Sequence, residues 1–338
     1  MPEAAGNGWI AAPFTTIVLS DAENATMAAL LGPAMVLVFC LSQALRDVYF
    51  AHVFQRVDFF AVILLAFLPS TLVFGAITAI KTPGELAKLR AHLATVLAMT
   101  VTTALAWTCY FFALTHLEPS IVTTLHSGMG PLTVIALAAC GVRLSKPTVI
   151  GRQEALGYAG IALSLAGLWW VVLSGQSGLP GADHATSLVG LALVLVSGSS
   201  ITISLLYSKR LHDHGVSAEA VTLVRYPALI LLAGCVEASE GQLAGIDDLG
   251  DLVGLSLVAT ALIALPTFAL QVGVARTAPL TTHVLRALGP VFVFAAQQVD
   301  GRMVYSTPTL VCILGYSAAA IASNLAHGWR EQPAVMRG

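Results

Sequence analysis

Charge is what this sequence has least of. Asp, Glu, Lys and Arg make up only 10% of its 338 residues, against about 25% in an ordinary soluble domain. That is too little to coat a water-facing surface of this size. The net charge of −2 leaves no basic face for nucleic acid. Cysteine is scarce too: Cys40, Cys109, Cys140, Cys235 and Cys312 stand at unrelated spacings inside apolar runs, with no CxxC. They read as buried small hydrophobes, and neither a disulfide framework nor a metal site is expected. HExxH, GxSxG and P-loop patterns are missing, and no two carboxylates fall together inside an apolar run. Enzyme chemistry and a cofactor therefore find no support. Residues 1–26 hold no Lys or Arg, so they do not read as a secretory leader. Their apolar patch, 9–19, is too short to span a bilayer, and the segment reads as a poorly ordered or interfacial lead-in.

What the chain does have is hydrophobicity, 57% of residues at a mean hydropathy of +0.84. The apolar runs are long and continuous. They match membrane-crossing helices of about 20 residues and not barrel strands alternating over about 10. Ten spans can be drawn, at about 28–52, 58–80, 93–114, 119–141, 154–174, 187–208, 216–236, 251–273, 278–298 and 306–327. With this assignment Lys81, Lys88, Arg90, Arg143, Lys146, Arg152, Lys209, Arg210, Arg276, Arg330 and Arg337 share the side of both termini, and only Arg56 and Arg302 lie opposite. Eleven against two predicts cytoplasmic termini in a bacterial inner membrane.

The chain also repeats itself. At a shift of 158 residues Gly32, Ser42, Tyr49 and Pro69 match Gly190, Ser200, Tyr207 and Pro227. At a shift of 159, Thr123, Ser127 and Gly130-Pro131 correspond to Thr282, Arg286 and Gly289-Pro290. Each half, 27–174 and 187–327, holds five spans, with 328–338 left as a tail. An odd number of spans places the second half upside down relative to the first. That is the inverted-repeat architecture of transporters, whose site lies near mid-bilayer at the repeat interface.

A charge in mid-span is costly, so it should face protein or a watery cavity. Arg286 is the first candidate, on a small-residue face with Thr282 and Gly289. Its repeat mate Ser127 shares a face with Thr123 and Gly130. The pairs Gly130-Pro131 and Gly289-Pro290 should each weaken a helix and mark a gating point. Arg225 is central in its span, two residues before Pro227. Gln43, Arg46 and Asp47 lie nearer the end of the first span, where Arg46 can snorkel outward. Adjacent residues diverge by about 100°, so Arg46 and Asp47 make a poor pair. Asp47 is expected to meet an arginine of another helix, Arg225 or Arg286. Trp107 and Tyr110 could stack on a substrate, and His126 and His283 are candidates for a coupled proton. The Gly/Ala-rich fifth and tenth spans suit tight packing, inside one monomer or across a homodimer.

The duplicated five-span halves, the segment YFFALTHLEPSIVTTLHSGMGPLTVIALAA at 110–139 and the closing GYAGIALSLAGLWWV at 157–171 resemble the drug/metabolite transporter superfamily, EamA branch, from about Met27 to His327. Members often carry an arginine in the second helix of a repeat, where this chain has Phe67 and Arg225. Its Gln43, Arg46 and Asp47 depart from the usual Trp-Gly-rich start. The resemblance implies a secondary transporter of a small molecule. Three arginines against one aspartate within the spans point to an exported polar metabolite with an anionic or zwitterionic group, driven by a proton gradient or by exchange. An exporter of cationic or neutral drugs using Asp47 and a non-transporting scaffold or sensor are the alternatives.

Overall fold

The computed structural model describes residues 21–142, 151–181, 183–240 and 249–335. The lead-in through residue 20, the cations Arg143, Lys146 and Arg337, and the end of the tail lie outside them. All the described secondary structure is helical: α1 (Asp21–Val53), α2 (Phe59–Lys81), α3 (Glu85–Ala91), α4 (Leu93–His116), α5 (Pro119–Ala139), α6 (Arg152–Leu173), α7 (His184–Asp213), α8 (Ala218–Arg225), α9 (Pro227–Glu240), α10 (Leu249–Arg276), α11 (Pro279–Arg286), α12 (Gly289–Gln297) and α13 (Thr307–Val335). Among the described residues nine stretches are long and apolar enough to cross a bilayer, α8 and α9 counting as one. The chain is a polytopic helical membrane protein. Residues 21–26, expected in the lead-in, are the first turns of α1, and the tail extends α13 to Val335.

Local chemistry sets the ends. Asp58, Asp183 and Ser217 accept backbone N–H bonds at the starts of α2, α7 and α8. Proline opens α5, α11 and α12, where its missing N–H costs nothing. The duplicated prolines behave differently in the two halves. Pro69 and Pro131 stay inside the unbroken α2 and α5. Pro227 and Gly289-Pro290 instead separate α8 from α9 and α11 from α12. The helix break expected at Gly130-Pro131 is therefore absent, because the turns on either side keep helical geometry despite the lost bond.

The links gather at two faces. At one, the Val304 amide bonds Gly178 O (2.7 Å) and Ser306 Oγ bonds Gln176 O (2.7 Å). Gln55 there reaches Thr115 O at 3.2 Å. At the other, Lys88 Nζ donates to Gly215 O (2.7 Å), the Ser217 amide donates to Glu85 (2.8 Å), and the His92 and His214 rings stack. These are called the Gly178 face and the Gly215 face. The larger apolar core lies toward the Gly178 face. Phe50, Phe54 and Phe111 meet at ring distances of 5.1–5.7 Å there, walled by Leu114, Leu117, Ile121, Leu125 and Leu168. A smaller cluster around Met99, Leu211 and Val221 lies near the Gly215 face.

α1 packs on α10, α11 and α12, α7 on α4 and α5, α2 on α8, α9 and α10, and α6 on α13. The small-residue faces expected on the fifth and tenth spans thus meet each other. A methyl group at Gly157 would sit 2.5 Å from Ser323 Cβ. The five cysteines were expected to be buried, but only Cys40 and Cys109 are, while Cys140 and Cys235 are exposed. Facing lipid, an apolar side chain needs no protein cover.

Candidate functional site

One face of α1 organises the site. Phe39, Gln43, Arg46 and Asp47 follow i, i+4, i+7 and i+8 spacing and so share that face. Arg46 is 8% exposed and Asp47 is fully buried. Arg46 Nε and Nη2 both donate to Asp47 Oδ1, at 2.9 and 2.7 Å. This corrects two expectations, that Arg46 snorkels outward and that Asp47 pairs with another helix. The angle between adjacent positions is offset by the reach of the arginine side chain. A buried charge without a partner would cost far more than that bend. Asp47 Oδ2 accepts from Tyr110 OH (2.7 Å) and Thr123 Oγ1 (2.9 Å). Four donors on two oxygens fill the acceptor sites of the carboxylate. The Arg46 guanidinium also lies 5.3 Å from the Trp107 ring centroid.

His126 closes this wall. Its ring meets Tyr110 edge-on at 4.7 Å, and Nδ1 lies 3.0 Å from Ser197 Oγ. The Ser197 hydroxyl gives its single proton to Ala106 O at 2.7 Å. It can only accept from the imidazole, which assigns the proton of the neutral ring to Nδ1 and leaves a lone pair on Nε2. Gln43, Arg46, Ala106, Trp107, Tyr110, His126 and Ile201 line one cavity of about 280 Å³. The structure thereby brings together seven sequence candidates: Gln43, Arg46, Asp47, Trp107, Tyr110, Thr123 and His126.

Arg286 lies along the same face of α1, its guanidinium 5.5 Å from the Phe39 ring centroid. Phe39 and Arg46 are seven residues apart, about 10 Å along the helix. Arg286 lies deep among protein atoms, yet its side chain keeps accessible surface. Both hold if it lines an internal, water-reachable space. No carboxylate among the described residues pairs with it. It is the last residue of α11. Pro290 cannot donate to the carbonyl four residues back, that of Arg286 itself, so the residue stands at the negative end of a half-helix. Arg225 repeats the arrangement at the end of α8. It is half-buried, and its buried Nε has no hydrogen-bond partner.

The other candidates stand apart. The buried Thr282 returns its hydroxyl to Ala278 O in its own helix (3.3 Å), and His283 is exposed. Ser127 is half-buried one residue beyond His126, and a methyl group on Gly130 would lie 3.7 Å from Thr202 Oγ1. Sequence reasoning missed Phe39, Ile201 and Ser197. A run of serines in an otherwise apolar helix, Ser197 to Ser200, was the available signal for the last.

No family model matches the chain, and no curated protein does. Solved structures do match. In one, described only as the crystal structure of a protein, the identity is 18% over 89% of this chain and 97% of that one, with a TM-score of 0.56. At that identity the likeness is one of fold alone, shared along nearly the whole of both chains.

Proposed function

We propose that this protein is a secondary transporter of the drug/metabolite, EamA-like kind, moving a small polar substrate with an anionic or zwitterionic group out of the cytoplasm. The observation that carries this reading is Arg286, an accessible guanidinium at a helix break with no carboxylate among the described residues to neutralise it. An arriving carboxylate or phosphate fits its fork in two parallel hydrogen bonds and offsets the cost of desolvating it.

Ten crossings in two inverted repeats complete the proposal. α11 and α12 together run from Pro279 to Gln297, about 28 Å of helix at 1.5 Å per residue, enough for a tenth crossing. The packing supports a two-fold relation. Exchanging the halves turns the contact of α1 with α10 into that of α7 with α4, and α1 with α11 and α12 into α7 with α5. The α6–α13 pair maps onto itself. Lys81, Lys88, Arg90, Lys209, Arg210 and Arg276 lie toward the Gly215 face against Arg56 and Arg302 at the Gly178 face, so the Gly215 face is cytoplasmic. The bulk of the core then seals the outer half, and the cavity belongs to a state closed to the outside. Transport draws on a proton gradient or on exchange, with His126 and His283 the candidate proton carriers.

The saturated Asp47 counts against export of cationic drugs through that carboxylate. A scaffold or sensor would show no flux of any acid. The test is uptake of labelled acidic metabolites into proteoliposomes under an imposed proton gradient, with Arg286→Lys beside wild type. Lysine keeps the charge and removes the fork, and a loss of roughly 10- to 100-fold is expected at normal protein level. Unchanged transport in both Arg286→Lys and Arg286→Gln would end the proposal.

A further inference from the structure

The cavity beside Asp47 holds more hydrogen-bonding capacity than the protein itself uses. Gln43 and Trp107 line it half-buried, and neither the Gln43 amide nor the Trp107 indole N–H has a hydrogen-bond partner among the described residues. Both groups stay accessible, since the buried side-chain atoms left without a partner lie elsewhere, as at Arg225 Nε. His126 adds the Nε2 lone pair that its bond to Ser197 leaves free. The lining therefore offers donors from Gln43 and Trp107, and acceptors at the Gln43 oxygen and His126 Nε2. Ala106 and Ile201 complete it with apolar surface.

No charge is left over at this end. Asp47 neutralises Arg46, and its remaining acceptor sites are filled by Tyr110 and Thr123. An entering ammonium would need three acceptors, find two, and meet Arg46, which lines the cavity, before Asp47, which does not. A second carboxylate could use the donors but would strand both acceptors. A hydrocarbon end would strand all of these groups, and unpaired polar groups at a closed site weaken binding sharply. A carboxamide carries an N–H beside a C=O and matches the set. Its oxygen can accept from Gln43 and Trp107 while its N–H groups donate to the Gln43 oxygen and to His126 Nε2. The spacing to Arg286 suits one small molecule. Phe39, beside the Arg286 guanidinium, precedes Gln43 by four residues, about 6 Å along α1. The charges of Arg46 and Arg286 both reach the His126 ring.

We propose that the substrate is an acid with a neutral amide end: a carboxylate received by Arg286 and, about 6 Å away, a carboxamide, ureide or lactam read by Gln43, Trp107 and His126. The proposal rests on Arg286 as the anion receiver and adds what the far end of the molecule must be. Gln43 is the specificity-determining residue, because it alone supplies both a donor and an acceptor.

The test is equilibrium binding to the full chain in lipid nanodiscs, with labelled adipamate, the monoamide of adipic acid, as the probe. Its carboxyl and amide carbons stand about 6 Å apart when extended. Competitors of the same length end in an ammonium, a second carboxylate (adipate) or an isopropyl group. In wild type all three should compete at least roughly tenfold more weakly than adipamate. Gln43→Leu should bind adipamate roughly tenfold more weakly and leave the isopropyl-ended acid unchanged. Trp107→Phe, which keeps the ring and removes the N–H, should show the same selective loss at about threefold, and it decides if Gln43→Leu does not fold. Arg286→Gln should weaken every acid alike. Equal competition by the isopropyl-ended acid or by adipate in wild type would overturn the amide end, as would a loss in Gln43→Leu shared by every acid. In those cases sensitivity of all the acids to Arg286→Gln leaves the anion reading standing. Binding of no acid, or Arg286→Gln without effect, would overturn the anion reading and this proposal with it.

Discussion

Replacing Asp47 by asparagine tests the polar wall most directly. Asp47 is fully buried and receives all four of its hydrogen bonds from Arg46, Tyr110 and Thr123. An asparagine amide keeps one accepting oxygen but presents N–H where donors already stand, and it leaves the Arg46 charge unpaired. Breaking a buried pair from one side costs about 3–5 kcal/mol. The stack of Arg46 on Trp107 persists and offsets about 1 kcal/mol, so a net loss of about 3 kcal/mol is expected, near a hundredfold in the folding equilibrium. In the double variant Arg46→Met/Asp47→Asn no charge is left unpaired. The Tyr110 and Thr123 hydroxyls can still donate to the amide oxygen, and at least half of the loss should return. The assay is denaturant-induced unfolding in mixed micelles, run as a four-member cycle with Arg46→Met alone. A coupling energy within about 0.5 kcal/mol of zero would refute the pair as a structural unit.

Three further outcomes are expected. His126→Gln should abolish gradient-driven uptake while leaving substrate exchange intact, and Ser197→Ala, which frees the tautomer, should move the pH profile without abolishing it; wild-type profiles in both would remove His126 from coupling. Reporter fusions at Gly178 and Glu240 should read outside and those at Lys88 and Lys146 inside, with a reversal at any two sinking the topology. At the Gly215 face the Lys88 ammonium and the Ser217 amide hold the Glu85 carboxyl below its ordinary value of 4.5. Its stabilisation is complete above that ordinary value and fades as pH falls through the lowered one. Glu85→Gln should therefore lower stability at pH 7 and flatten the acid limb of unfolding against pH.

The spans were legible because a bilayer demands about 20 apolar residues in a row, and Phe59–Lys81 or Thr307–Gly328 can scarcely read otherwise. The sequence repeat rests on residues that are costly to match by chance, Pro69 with Pro227 and Gly130-Pro131 with Gly289-Pro290. What those prolines do was not legible. Each removes one backbone bond, and whether a helix closes over the gap depends on neighbours the sequence does not place. α3 was missed because its seven residues are too few for a period to emerge. The site was half legible: polar residues inside apolar runs marked Gln43, Tyr110, Thr123 and His126. Their connections were not visible, since Asp47 finds Thr123 across 76 residues and Glu118 finds Thr309 across 191. Glu118 fell between two of the drawn spans and drew no reading. Its burial is made by segments far away along the chain.

The close fit of α6 against α13 bears on how such a chain comes to exist. Gly157, Gly160 and Gly167 of one helix lie against Ser323, Ala319 and Cys312 of the other, and Gly315 lies against Ser164. Each helix thus offers its glycines to the larger residues of its partner. In the proposed inverted repeat they are the last helices of their respective halves. A five-helix ancestor carrying this face would have found its partner in a second copy of itself. Fusion of two copies would preserve that seam and release the remaining surfaces to diverge. Under the proposed inverted repeat, the unequal fate of the prolines and the polar wall confined largely to one half would be what such divergence leaves behind. Cut between α6 and α7, the two pieces should still recognise each other along this line.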